Sequence, residues 1–145
     1  MITLSRASFT SYCKLYQIRF FAVMEEAWKS IPTVLIDSEG VFKYILIKVH
    51  KKEEGASDPV KSIVRGFKWG AFHADIYEDT QEKIEKLGFE TECVGGGRIE
   101  HNPSEKKLKV YGYSQGYGRA DHALTTELLK KEYPDYNISW TDDGY

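Results

Sequence analysis

The sequence predicts a single α/β domain in which a mixed β-sheet of roughly six strands is flanked by two α-helices. Short segments that alternate apolar and polar residues recur along the chain, as is typical of strands. Two longer segments have apolar residues at helical spacing, and they interrupt the strands without a strict strand–helix–strand alternation. The length of 145 residues fits one domain with a substantial core, and the 14% aromatic and 29% charged residues are typical of a soluble globular protein.

The first 23 residues differ in composition from the rest of the chain. They contain Arg6, Lys14 and Arg19, no acidic residue, and five Ser or Thr residues. We interpret residues 1–23 as a disordered leader or extension, with a mitochondrial targeting segment as the minority alternative, and residues 24–145 as the functional domain. This domain carries 17 basic and 22 acidic residues, a net charge of −5. Such a charge argues against a nucleic-acid binder.

Two strands are expected at the start of the domain, over residues 33–36 and 41–50, with a turn at residues 37–40 between them. The apolar residues of the second strand share one face: Val41, Ile45, Ile47 and Val49. Lys43 lies on that same face near the start of the strand. Because a buried ammonium group is costly without a partner, Lys43 either extends its charge into water or binds an anion.

The first helix is predicted to end at Gly88 and to follow a charged loop over residues 51–62 and a short strand at 63–65. Its apolar stripe consists of Ile76, Tyr77, Thr80, Ile84 and Leu87. Extending this stripe back by one turn reaches His73, which therefore lies in the first turn and faces the sheet. The positive end of the helix dipole disfavours an imidazolium there, so His73 is either a packed side chain or a neutral catalytic group.

A strand over residues 89–94 is followed by three consecutive glycines at positions 95–97 and then by Arg98. Three glycines either break the strand, form a β-bulge or make a concave backbone nest for an anion. In the last case the guanidinium of Arg98 would supply a second anion contact beside the nest.

The next strand leads into a Gly-rich turn and then into the second helix. Alternation from Leu108 onward places Ser114 on the apolar face at the end of the strand. Gly116 lets the backbone of the turn approach a ligand, and a helix is expected over residues 119–133. The N-terminus of that helix would offer free N–H groups to an anion, although an empty surface turn is the alternative. A last strand is expected over residues 137–141.

Several kinds of site are not indicated by the sequence. The four histidines lack metal-ligand spacing, and the chain has no HExxH, CxxC or GxxxxGK[ST] motif, so we expect no metal and no cofactor. Cys13 and Cys93 are the only cysteines, which indicates a reducing compartment without a disulfide framework. No apolar run approaches the ~20 residues that span a bilayer, so we expect no membrane partner.

Five motifs follow one another between residues 36 and 145: VFKYILIKVH, VRGFKWGAFHADIY, CVGGGRIEH, VYGYSQGYG and YPDYNISWTDDGY. Together they resemble the Janus family of small eukaryotic protein-histidine phosphatases. The resemblance implies that His73, in the HAD tripeptide, is the catalytic residue. It further implies a set of phosphate-binding residues: Lys43, Arg98, Ser114, Gln115 and Gly116.

The chain departs from the family pattern at two places. Gln115 and Gly116 replace the expected Met-Ala pair, which should be tolerated if the loop binds phosphate through backbone N–H groups and the Ser hydroxyl. Gly70 and Phe72 change the approach to His73 and could change the preference among protein substrates.

The resemblance implies metal-independent hydrolysis of the P–N bond of phosphohistidine on proteins, with His73 as nucleophile or general base. We expect a cytoplasmic monomer whose partners are phosphohistidine-containing proteins. One alternative is a non-catalytic module that binds phosphohistidine or another anion. A second is a single-stranded nucleic-acid binder that stacks bases on Tyr111, Tyr113 and Tyr117, against which the acidic domain argues.

Overall fold

The computed structural model describes residues 6–52 and 58–145. In this part of the chain, residues 32–145 form one compact α/β unit. Its elements are β1 Val34–Ile36, β2 Gly40–His50, β3 Val60–Phe67, α2 His73–Lys86, β4 Glu90–Asn102, β5 Lys107–Tyr111, α3 His122–Glu132 and β6 Asn137–Trp140. They follow α1 Arg6–Ser30, which lies in a separate unit of residues 1–31. The predicted fold class, with a mixed six-stranded sheet, is confirmed.

The strands are arranged in the order β1-β3-β2-β4-β5-β6. The two outer pairs, β1 with β3 and β5 with β6, are parallel, and the inner pairs are antiparallel. Successive residues of β4 contact different helices: an added Cβ at Gly96 would touch His73 of α2, whereas one at Gly97 would touch His122 of α3. Since neighbouring strand residues point to opposite faces, one helix covers each face of the sheet.

The central strand β2 is buried on both of its faces. Ile45, Ile47 and Val49 are fully buried on the predicted face, and Tyr44 and Leu46 are buried on the other. This pattern is expected for a strand covered by a helix on each side. Lys43 lies on the face of Ile45 and Ile47, near the strand start as predicted.

The strand β4 runs through the triple glycine instead of ending at Val94 as the sequence predicted. Its pairing with β2 shifts register, so that Leu46 lies opposite Gly95 and Ile47 lies opposite Cys93. Val94 is therefore the extra residue of a β-bulge, which confirms one of the predicted alternatives. The predicted strand was too short because glycines lower strand propensity without preventing pairing between two long neighbours.

The helix α3 begins at His122, not at Arg119 as the sequence predicted. Residues 118–120 instead continue alongside β4, where Ala120 N–H donates to the Gly96 carbonyl oxygen at 3.0 Å. Asp121 is the N-cap, and its carboxylate accepts from Leu124 N–H at 3.0 Å. The carboxylate of Asp121 thus occupies the position at which the sequence predicted a bound anion.

The sequence predicted a disordered leader over residues 1–23, whereas residues 6–30 form the helix α1. A physical reason is the absence of Gly and Pro from residues 1–31, which leaves nothing to interrupt a helix. The assignment of residues 1–23 as a leader stays a prediction.

Within the described residues, none of the helices has the length and apolar character needed to cross a membrane. Part of the predicted charged loop, residues 53–57, lies outside the described residues.

Candidate active site

The six residues that the sequence and its family resemblance predicted for the site meet in one cleft at the N-terminus of α2. The cleft has a volume of about 750 Å³. Its lining residues are Lys43, Ala71, Phe72, His73, Ala74, Arg98, Tyr113, Ser114, Gln115, Gly116, Tyr117 and Tyr145. The fold therefore brings together residues from β2, α2, β4 and the turn after β5.

His73 is the first residue of α2, as predicted, and its ring packs against the backbone of β4. A Cβ at Gly96 would lie 2.7 Å from His73 Cδ2, so only glycine leaves room for the ring. His73 Nε2 lies 2.9 Å from the carbonyl oxygen of Gly97. Because a carbonyl oxygen can only accept, Nε2 carries the proton and donates it. In the neutral ring Nδ1 is then the nitrogen with a free lone pair.

The pKa of His73 is lowered from the ordinary value of 6.5. Burial is the largest cause, since the residue is only 9% exposed. The hydrogen bond to Gly97 raises the pKa, whereas the positive charges of Lys43 and Arg98 lower it further. The shift has the predicted direction, and burial is the largest of these causes. The ring is consequently neutral near pH 7.

The N-terminus of α2 has no side-chain cap. Phe72 is the N-cap residue, and its side chain has no hydrogen-bond acceptor. The carboxylate of Asp75 accepts from Phe72 N–H at 2.8 Å, which satisfies one donor of this first turn. His73 and Ala74, the first two helical residues, both line the cleft. An anion in the cleft would therefore meet an uncapped helix N-terminus, but of α2 and not of α3.

Two cations from neighbouring strands line the cleft. Lys43 of β2 and Arg98 of β4 are paired in register and so project from the same face of the sheet. Both side chains are partly buried. Among the described residues, no carboxylate lies within ion-pair distance of either group. Both positive charges are therefore available to an anion.

The turn after β5 closes on itself through Ser114. Ser114 exchanges backbone hydrogen bonds with Gly118 at 2.8 and 3.1 Å, and its Oγ accepts from Tyr117 N–H at 3.2 Å. Ser114 is 3% exposed, and its hydroxyl proton can still be donated. Within the described chain, the N–H groups of Gln115 and Gly116 have no hydrogen-bond acceptor. Both residues line the cleft, which leaves two backbone donors for a ligand.

Sequence reasoning missed Tyr145, which lies in the cleft because the end of the chain folds back. Gly112 N–H donates to the Asp143 carbonyl oxygen at 3.2 Å, and the Tyr145 hydroxyl donates to the carbonyl oxygen of Tyr113. The ring of Tyr145 then lies 4.3 Å from Arg98 Cζ, within the range of a cation–π contact. The spacing of residues 141–145 carries no signal for this contact. The only signal in the sequence was that the fifth family-like motif includes Tyr145.

The other three histidines are engaged outside the cleft. His122 uses both nitrogens, since Nδ1 accepts from Tyr44 Oη at 2.5 Å and Nε2 donates to the Gly112 carbonyl oxygen at 2.8 Å. His101 likewise contacts the Asp37 carbonyl oxygen and a tyrosine hydroxyl, and His50 contacts a surface glutamate. Among residues 6–52 and 58–145, no three His, Cys, Asp or Glu side chains form a possible metal site.

Comparison with known proteins shows the family of the chain. The sequence pattern of the Janus/Ocnus family (Ocnus) matches residues 28–137. The chain belongs to the Janus/Ocnus family. This confirms the family resemblance that the five motifs indicated, and the match does not include residues 1–23.

Named relatives share about half of their residues with this member of the family. The "14 kDa phosphohistidine phosphatase" of Sus scrofa is 53% identical over 117 residues, which are 79% of this chain and 93% of the relative. The human protein of the same name is 51% identical over 117 residues, 79% and 94% of the two chains. The "Sex-regulated protein janus-A" of Drosophila melanogaster is 52% identical over 121 residues, 83% and 87% of the two chains.

Proposed function

We propose that this Janus-family protein is a phosphatase that hydrolyses the P–N bond of phosphohistidine on proteins. The observation that carries the proposal is the ring of His73, neutral and with Nδ1 unprotonated, in a cleft that also holds two unpaired cations. Two relatives that are 51% and 53% identical bear the name phosphohistidine phosphatase, which supports the same assignment.

Phosphoryl transfer requires the phosphoryl group to be positioned and the charge on its three equatorial oxygens to be stabilised. Lys43 and Arg98 provide two positive charges on one face of the sheet. The N–H groups of Gln115 and Gly116, with the hydroxyl of Ser114, provide neutral donors in the same cleft. These cations and neutral donors come from different elements of the fold, so together they can hold the phosphoryl group in one orientation.

Overall, the proposed reaction breaks the P–N bond of the substrate and joins the phosphoryl group to the oxygen of a water molecule. The electron pair of the P–N bond stays on the substrate imidazole, which takes up a proton. Nδ1 of His73 either attacks phosphorus first, giving a phosphorylated enzyme that water then hydrolyses, or removes a proton from the attacking water. Both routes require the neutral His73 ring, and the fixed Nε2–H tautomer serves both.

Turnover of a phosphohistidine-containing protein, in the presence of EDTA, tests this proposal. We expect release of inorganic phosphate at the same rate with and without EDTA, because Lys43, Arg98 and the backbone donors balance the phosphoryl charge without a metal. Binding without phosphate release would instead indicate a phosphohistidine-binding module. A rate that EDTA abolishes and a divalent ion restores would contradict metal-independent hydrolysis.

Activity is expected to fall as the pH drops below neutrality. The reacting form of His73 is neutral, and its pKa is below the ordinary value of 6.5, so this form predominates above pH 6.5. As the pH falls through the lowered pKa, imidazolium forms and the lone pair on Nδ1 is lost. The pH profile of kcat/KM, corrected for hydrolysis without enzyme, is compared with an NMR titration of the ring. A ring pKa above 6.5 in the free enzyme would contradict this account.

The tyrosine that contacts Arg98 is expected to contribute modestly to catalysis. Tyr145→Ala should lower kcat/KM about two- to fivefold, because an exposed cation–π contact contributes about 0.5–1 kcal/mol. Tyr145→Phe keeps the ring over Arg98 and serves as the matched variant, so its kcat/KM should stay closer to wild type. Equal losses in both variants would show that the hydroxyl, through Tyr113, and not the ring, is responsible.

The proposal includes phosphohistidine-containing proteins as partners and a monomer that acts in the cytoplasm. The two cysteines, Cys13 and Cys93, are free thiols, which supports a reducing compartment. Binding of nucleic acid by stacked tyrosines has less support, because the three rings concerned contact other tyrosines: Tyr111 and Tyr113 contact Tyr145, and Tyr117 contacts Tyr77.

A further inference from the structure

A second groove adjoins the catalytic cleft. It has a volume of about 370 Å³ and is lined by Val41, Phe42, Lys43, Lys68, Gly70 and Arg98. Lys43 and Arg98 also line the first cleft, so the two spaces share a wall of positive charge. Lys68 belongs to the second groove alone.

The side chain of Lys68 lies over the start of β2. Lys68 follows the end of β3, and its N–H donates to Asp37 Oδ2 at 2.7 Å. Its chain then crosses the start of β2, where a Cβ built on Gly40 would lie 2.6 Å from Lys68 Cε and 2.9 Å from Nζ. Gly40 has a φ of +102°, a conformation that other residues rarely adopt. Glycine at this position therefore keeps the path of the lysine open.

The groove holds three cations and no acidic lining residue. In the described part of the chain, none of the carboxylates lies within ion-pair distance of Lys68, Lys43 or Arg98. Glu100 projects from the same face of β4, opposite Val41, but lines a different groove. Like charges repel, so such a cluster in an acidic domain is most stable when an anion is bound.

One phosphoryl group in the catalytic cleft can engage Lys43 and Arg98 but leaves Lys68 in the adjoining groove without an anion. We propose that this groove is a second anion subsite, in which Lys68 binds an acidic group adjacent to the phosphohistidine of the substrate protein. The inference rests on the proposed phosphatase function and narrows its substrate class. The acidic group is either a carboxylate of Asp or Glu or a second phosphoryl group, since a primary ammonium binds both.

The test uses four phosphohistidine peptides that differ only in the residue next to the phosphohistidine. This residue is Glu, phosphoserine, Gln or Lys. Each is assayed with wild type, Lys68→Ala and Lys68→Glu. Lys130→Glu is the matched control, because Lys130 is an exposed residue of α3 that lines neither groove. Binding of the same peptides is measured by calorimetry in parallel. The effect of Lys68 on peptide affinity is then measured even if no peptide is hydrolysed.

Wild type is expected to prefer the acidic peptides over the Gln peptide by about two- to fivefold in kcat/KM, as for an exposed ion pair. Lys68→Ala should lose this preference while hydrolysing the Gln peptide normally, Lys68→Glu should favour the Lys peptide, and Lys130→Glu should behave as wild type. A preference for Glu alone identifies a carboxylate as the ligand, and one for phosphoserine alone identifies a phosphoryl group.

Two results separate the failure of this inference from the failure of the proposed function. Equal hydrolysis of all four peptides, or a preference that persists in Lys68→Ala, would overturn the second subsite and leave the phosphatase assignment intact. Absence of turnover for every peptide would overturn the phosphatase assignment. In that case, peptide affinities that do not depend on Lys68 would overturn the subsite as well.

Discussion

Replacement of His73 by alanine is expected to lower kcat by about 10²- to 10⁴-fold, the usual contribution of a group that transfers a proton at the reacting centre. The physical reason is the loss of Nδ1, the one imidazole nitrogen in the cleft whose lone pair is free. The variant should stay folded, because the first-turn position is at the edge of the core and the sheet is unchanged. Phosphate release and thermal unfolding are measured on the same samples.

A matched histidine variant controls for general effects of the substitution. His50→Ala removes a partly buried ring at the end of β2, where it contacts Glu92 and lines no part of the cleft. It should keep wild-type kcat. His73→Ala should still bind inorganic phosphate, since Lys43, Arg98 and the loop donors remain. Residual activity within a few-fold of wild type would remove His73 from the reaction.

The position of His73 was predictable because it follows from periodicity. Helical spacing from Ile84 back through Thr80 and Ile76 placed the ring on the buried stripe, and all four residues are buried in α2. The hydrogen bond that selects its tautomer was not predictable. It depends on the carbonyl oxygen of Gly97, which lies 24 residues further along the chain in a strand that had been expected to end earlier.

The uncapped helix N-terminus was expected at α3, whereas the one that lines the cleft belongs to α2, for a related reason. The Gly-rich turn and the following apolar spacing predicted that α3 starts at Arg119, but pairing of Ala120 with Gly96 delays it to His122. This is a long-range contact that overrides local propensity. The predicted loop residues still reach the cleft, because the turn that Ser114 closes is placed beside β4 by the same pairing.

The glycines at positions 96 and 97 have a role that their local sequence does not reveal. Each glycine gives room to a histidine of a different helix, His73 on one face and His122 on the other. From sequence alone, three consecutive glycines are compatible with a break, a bulge or a nest. Only the packing of a helix on each face of the sheet shows that these positions need glycine, because a side chain there would collide with a histidine ring.

Removal of either cation of the cleft is expected to weaken transition-state binding by about 1.5–3 kcal/mol, which corresponds to roughly a 10- to 150-fold loss in kcat/KM. Lys43→Ala and Arg98→Ala each delete a charge that no carboxylate of the described chain compensates. Lys48→Ala is the control, because Lys48 is exposed on the same strand and lines neither groove.

The two cations are expected to act on one group, and this makes their effects non-additive. Lys43 and Arg98 are paired across β2 and β4, so both charges would reach the same phosphoryl group in the proposed complex. The double variant should therefore lose less than the sum of the two single losses in ΔG‡.

Arg98→Lys retains the charge but not the planar fork or its stacking on Tyr145, and its kcat/KM should fall between those of wild type and Arg98→Ala. Unchanged kinetics in both alanine variants would show that these cations are solvated surface groups, and strictly additive losses would mean that they bind separate parts of the substrate.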